Sequence, residues 1–113
     1  KFNPPLEYQF YGFRMWEMFA NVIFDEFPRF LRLPLVITET NPLYLRGTQT
    51  PGWDTDADHW IGKMYDYIAR WNRGPGDQFV HGVCLYRFMG DAWRIDDKPR
   101  LLSALRERGA VPI

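Results

Sequence analysis

Cysteine, histidine and an excess of either charge are what this sequence has least of. A single cysteine, Cys84, leaves no internal disulfide to form. Its apolar surroundings, with no histidine placed to activate it, predict a buried and inert thiol, and the redox compartment stays open. Fourteen basic residues balance fourteen acidic ones and no basic block occurs, which excludes the electrostatic footprint of a nucleic-acid binder and the polybasic patch of a membrane-surface protein. No apolar run approaches the roughly 20 residues of a membrane span. Neither nucleic acid nor membrane is therefore an expected partner. The two histidines, His59 and His81, show no metal-ligand spacing. The acidic stretch DTDAD, 54–58, lacks the glycine and distal glutamate of an EF-hand loop and reads as helix capping. The GPG at 74–76 follows a predicted helix rather than a strand, the wrong context for a phosphate loop. No metal or cofactor is expected.

What is abundant is aromatic. Phe, Trp and Tyr make up 18% of the 113 residues, about twice average usage. The length suits one small domain or part of one. Because the chain opens at Lys1 in a loop-like stretch, KFNPPLEYQ, without Met, processing, truncation or an earlier start is the expectation.

Phe13, Trp16, Phe19, Ala20, Ile23, Phe24 and Phe27 recur at steps of three and four, predicting an amphipathic helix over 12–27 that Pro28 helps to end. The β-branched run LPLVITE that follows predicts a fully buried parallel strand over 35–38, with Pro34 at its start. Residues 40–57 form a loop of about 18 residues, longer than packing alone usually retains. A second helix, capped by Asp56 or Asp58, turns Ile61, Met64, Tyr65, Ile68 and Trp71 inward and stops at NRGPG. FVHGVCLYRF, 79–88, predicts a second strand. Asp97 as N-cap and Pro99 in the first turn start a third helix, with Leu101, Leu102 and Leu105 on its face and Gly109 as C-cap. Strands each followed by a helix are units of a parallel α/β fold. A parallel sheet of two strands leaves apolar edges open, so completion by a further segment or by a second chain is expected.

The apolar strand ends in TETN, and Glu39 then lies where a strand gives way to a long loop. In (β/α)₈ barrels such positions carry the active groups. Thr38, Thr40 and Asn41 are placed to orient its carboxylate. The structural alternative is a carboxylate satisfied by loop N–H groups or by an arginine.

PLVITETNP resembles the seventh strand of the clan A retaining glycoside hydrolases, (β/α)₈-barrel enzymes in which a glutamate ending that strand is the nucleophile. GVCLYRF stands where those enzymes place an eighth strand, DAWRIDDKPRLLSALRERG is similar to their closing loop and last helix, and 13–27 would be helix six. The resemblance implies an α/β fold, the C-terminal βαβα units of a partial (β/α)₈ TIM barrel preceded by a helix, with 1–113 the end of one such domain. It implies retaining hydrolysis of a glycosidic bond, Glu39 as nucleophile, and a second carboxyl roughly 5 to 5.5 Å away as acid/base. The family takes that acid/base from an Asn-Glu pair, which this sequence lacks, so it would lie outside these residues and the chain alone would not be a competent glycosidase. Strand eight commonly ends in tryptophan in the family, whereas here it ends in Tyr86, Arg87 and Phe88, leaving Trp93 as a substitute. Asn41, Tyr44, Trp53, Arg87 and Trp93 are the expected carbohydrate-binding residues, with Arg46 also able to meet hydroxyls or acidic groups. Trp16, Phe19, Phe24 and Trp71 are expected to pack helices. The competing reading is a noncatalytic carbohydrate-binding or protein-interaction module on the same scaffold.

Overall fold

A computed structural model of the chain describes residues 13–26, 33–42, 44–74 and 78–109. A 3₁₀ turn, Phe13–Met15, leads into α1, Trp16–Glu26, followed by β1, Leu35–Thr40, α2, Asp58–Asn72, β2, Val80–Leu85, and α3, Pro99–Gly109. β1 and β2 pair in parallel, with α2 as the crossover between them.

Local chemistry accounts for most of these boundaries. Proline at the first position of α3 loses only an N–H that the helix could not use, and the Lys98 carbonyl accepts the first helical bond, from Leu102 N. The cap is thus Lys98 rather than Asp97, whose carboxylate instead takes the Lys98 ammonium at 2.9 Å. α2 begins after Ala57 with no side-chain cap, and Asp58 sits in its first turn, where a carboxylate suits the helix dipole. β2 is anchored at its first residue by a side chain that imitates a strand. Asn72 accepts from Val80 N through Oδ1 and donates to the Val80 carbonyl through Nδ2, both at 2.9 Å.

Two apolar clusters hold the layers together. Trp16 and Ala20 of α1 meet Ile37 of β1, Val80 of β2, and Met64 and Ile68 of α2 in the first. Trp53, Ala57, Ile61, Ile95 and Leu101 form the second, under α3. Trp60 packs against both clusters, and edge-to-face contacts of Phe13 with Trp60 and of Trp16 with Trp71 account for much of the aromatic excess. The helical faces of α2 and α3 follow the predicted spacing, but Phe19 of α1 is 63% exposed. The side chain of Phe24, and Phe27 altogether, lie outside the described residues.

The expected partial (β/α)₈ barrel is overturned. The described residues form a small α/β domain of three α-helices and one two-stranded parallel sheet, not a section of barrel wall. The physical reason is that a barrel section is defined by neighbours on both edges and a filled interior, whereas β1 and β2 pair only with each other among the described residues. One face of the pair packs on the helices; the other is left open by the described residues. Val36 is 52% exposed, and Thr38, His81 and Cys84 are exposed as well. The fully buried strand and the buried thiol are corrected for the same reason: nothing among the described residues covers that face.

A polar latch joins α1 to α2. Arg14 donates to both carboxylate oxygens of Glu17, at 3.0 and 2.8 Å, and the Tyr67 hydroxyl donates to the same carboxylate. Burial, reinforced by the adjoining Glu17 carboxylate and opposed by Arg14, pushes the Tyr67 phenol up from 10.0 to about 12. A phenol whose folded value is raised stabilises the fold fully below its unfolded value and loses that contribution as pH climbs through the folded one. Wild-type protein should therefore lose stability between pH about 10 and about 12 more steeply than Tyr67→Phe, as read by circular dichroism against pH. Parallel curves would remove the latch from the alkaline transition.

Candidate functional site

Both strands end at the same edge of the sheet, and the segments that follow them are built against each other there. The site's main feature comes from an irregularity in pairing. Ile37 stands opposite Val83 and Thr40 opposite Leu85, so Thr38 and Glu39 together face the single residue Cys84. Strict alternation would put Glu39 on the same covered face as Leu35 and Ile37; the extra residue breaks that alternation, and Glu39 is exposed. Among the described residues no hydrogen bond or ion pair reaches its carboxylate. Thr38, Thr40 and Asn41, expected to orient it, make no bond to it, and Asn41 Nδ2 donates to the Pro42 carbonyl at 3.1 Å instead.

The segment after β1 is ordered by its own bonds. Tyr44 and Pro51 form an antiparallel bridge, Leu45 N donates to the Thr50 carbonyl at 2.8 Å, and the Asp54 carboxylate accepts from Arg46 N. Tyr44 stands 48% exposed on this small hairpin. At Gly52, with φ of 140°, a Cβ would come within 2.6 Å of the Ala92 carbonyl oxygen, so only glycine lets this segment lie directly on the one that follows β2.

That second segment is tied down at several points. Tyr86 N donates to the Thr40 carbonyl at 3.0 Å, continuing the sheet by one bond, and the Tyr86–Arg87 peptide is cis. Trp93 Nε1 donates to the Pro42 carbonyl at 2.8 Å. Pro42 therefore receives both the indole and the Asn41 amide, joining the chain just beyond Glu39 to the segment after β2. Trp53 Nε1 donates to the Tyr86 carbonyl at 2.8 Å, but its ring is only 1% exposed and packs edge-on to Trp60. No ring face of Trp53 is open to a ligand, so its place is in the core. Trp93 is half-buried, edge-on to Tyr86.

Arg87 is committed within its own turn. Its Nε donates to the Met89 carbonyl at 2.7 Å, Nη1 donates to the Tyr86 hydroxyl at 2.5 Å, and Asp91 lies 3.3 Å from Nη1. The guanidinium crosses directly over Gly90, where a side chain would collide with it. Asp91 also accepts from Tyr86 Oη and Trp93 N, each at 2.9 Å. Desolvation pushes the Asp91 carboxyl upward, yet the Trp93 N–H, the Tyr86 hydroxyl and Arg87 together hold it below the usual carboxylate range.

Of the residues singled out in the sequence, Glu39, Asn41, Trp93 and Arg87 are thus brought to one end of the sheet, with Tyr44 on the adjoining hairpin, while Trp53 lies beneath. Sequence reasoning missed Asp91, Gly52 and the Pro42 carbonyl. A carbonyl that gathers two donors has no side-chain signal, although the Gly-Asp step at 90–91 is a recognisable turn. Among the described residues no group of three or more His, Cys, Asp or Glu side chains is arranged to hold a metal ion.

An open groove of about 350 Å³ lies elsewhere, between α2 and α3, lined by Asp58, His59, Lys63, Asp66, Glu107 and Arg108 among others. Two ion pairs, Arg108 to Asp66 at 2.8 Å and Arg100 to Asp58 at 2.9 Å, cross between these helices, so the groove reads as their polar seam. Comparison with protein-family models, curated proteins and solved structures returned no match to this chain.

Proposed function

We propose that the chain is glycoside hydrolase-like and supports retaining hydrolysis of glycosidic bonds, with Glu39 as nucleophile and the acid/base carboxyl supplied from outside the described residues. The observation that carries this reading is the state of Glu39. A structural carboxylate is held by N–H groups or a cation, whereas this one is released from the covered face by a bulge and left without a partner among the described residues. An unengaged carboxylate at the end of a parallel strand is free to attack an anomeric carbon. In that step the Glu39 oxygen bonds to the anomeric carbon as the glycosidic C–O bond breaks and the leaving oxygen takes a proton from the external acid/base; water, giving its proton back to that group, then attacks the same carbon and releases the sugar and the Glu39 carboxylate.

The test is covalent trapping. Activated 2-deoxy-2-fluoro glycosides carry a leaving group that needs no protonation, so they do not require the acid/base residue. Gluco, galacto, manno and xylo forms should include one that adds a single glycosyl unit to the wild-type mass and none to Glu39→Gln. Equal labelling of the two proteins, or no labelling by any sugar, would set the reading aside.

The second reading is a noncatalytic module that associates through its sheet, with carbohydrate or another protein as partner. It is favoured by the open face carrying Val36, Thr38, His81 and Cys84 and by strand edges that have no partner among the described residues. It predicts a specific complex or oligomer by sedimentation, and trapping that fails throughout.

A further inference from the structure

We infer that the site selects neutral glycans over sugars bearing a carboxylate, sulfate or phosphate. This deepens the proposed function and rests on it. The argument is the disposition of charge at the sheet end that carries Glu39. The two segments following the strands contain four cationic side chains, Arg46, Arg87, Arg94 and Lys98. Each is already engaged. Arg46 meets Asp56 at 2.9 Å, and Arg87 is held by Met89, Tyr86 and Asp91. Arg94 donates through Nε and Nη2 to the two carboxylate oxygens of Asp96, at 2.7 and 2.5 Å. Lys98 donates to the Arg94 carbonyl at 2.7 Å and to Asp97 at 2.9 Å. Arg100, at the start of α3, is paired with Asp58.

Against those four cations stand Asp54, Asp56, Asp91, Asp96, Asp97 and Glu39 itself. The excess is negative, and among the described residues of these two segments no cation is left to receive an anionic substituent. An anionic sugar would have to displace an aspartate from its arginine or approach Glu39 uncompensated, and either costs it affinity. Hydroxyl groups meet no such barrier. Arg46 and Arg87, which the sequence offered as binders of acidic groups, are thereby accounted for as partners of aspartates.

The test uses matched probes that differ only at C6: methyl β-glucopyranoside and methyl β-galactopyranoside against the corresponding methyl uronides, titrated into the ¹⁵N-labelled chain by NMR. The neutral member should bind about tenfold more tightly at low salt, with the gap shrinking as salt rises. Asp56→Asn frees Arg46 without altering side-chain shape, and should strengthen uronide binding roughly two- to fivefold while leaving the neutral sugar unchanged. A uronide bound as tightly as its neutral partner, in a chain whose Glu39 is still trapped covalently, would overturn the charge selection alone. Failure of every probe together with failure of trapping would overturn the site reading and the selection with it.

Discussion

Glu39→Ala is expected to lose the single-turnover release of dinitrophenolate from a dinitrophenyl glycoside, a step that needs no acid/base, by at least about a thousandfold, with little change in stability. Both halves follow from the same geometry. The carboxylate is exposed and bonds to nothing among the described residues, so removing it should stay within about 0.5 kcal/mol of wild type in urea unfolding. A carboxylate retained for structure would behave oppositely, costing stability and sparing that release. Azide gives a further check. In the space left by the carboxylate, azide can attack the anomeric carbon as dinitrophenolate departs, forming a glycosyl azide by a single displacement and hence with inverted configuration. Partial recovery of rate with that product identifies the missing group as a nucleophile. Recovery of rate with retained configuration, or no dependence on azide, would point to another role.

Trp53→Ala should cost about 3 to 5 kcal/mol, as large aromatic truncations in cores do. The side chain is almost wholly buried beneath the site, its ring against Trp60 and its N–H on the Tyr86 carbonyl. Truncation both opens a cavity in the cluster under α3 and strips the Tyr86 carbonyl of its donor. For a chain of this size, with total stability of about 5 to 15 kcal/mol, the variant would be marginal. Trp53→Phe keeps most of the apolar surface and loses the hydrogen bond, so an intermediate loss is expected in the same urea titration. If Trp53 instead served to stack on a sugar, alanine would weaken ligand binding and leave the unfolding midpoint almost unmoved.

The elements were legible because their periods were strong. Ile61, Met64 and Ile68 repeat as a buried helical face should, and all three are fully buried. Pro99 marks the start of α3 for the reason its chemistry gives. The architecture was not legible. A helix–strand–helix–strand–helix order is shared by every parallel α/β arrangement, and an apolar strand reads alike whether one face or both are covered. Val36 and Cys84 looked buried for that reason, and the barrel that the resemblance implied is replaced by a two-stranded sheet.

At the site, the position of Glu39 at a strand end could be read from LVITET, but its release from the covered face could not. That depends on one unpaired residue in the register with β2, a relation between segments about 45 residues apart. Trp53 and Arg87 carry partners of a kind the sequence does not announce. Both are residue types that bind sugars, and both are occupied by partners that composition does not reveal: a tryptophan ring and a backbone carbonyl for one, a tyrosine, an aspartate and a carbonyl for the other.

The most direct measurement is to digest the trapped protein and locate the sugar by tandem mass spectrometry. The expected result is a single 2-deoxy-2-fluoroglycosyl ester on the side chain of Glu39. A label on any other residue, or its absence across all the sugar configurations tried, would contradict Glu39 as the nucleophile.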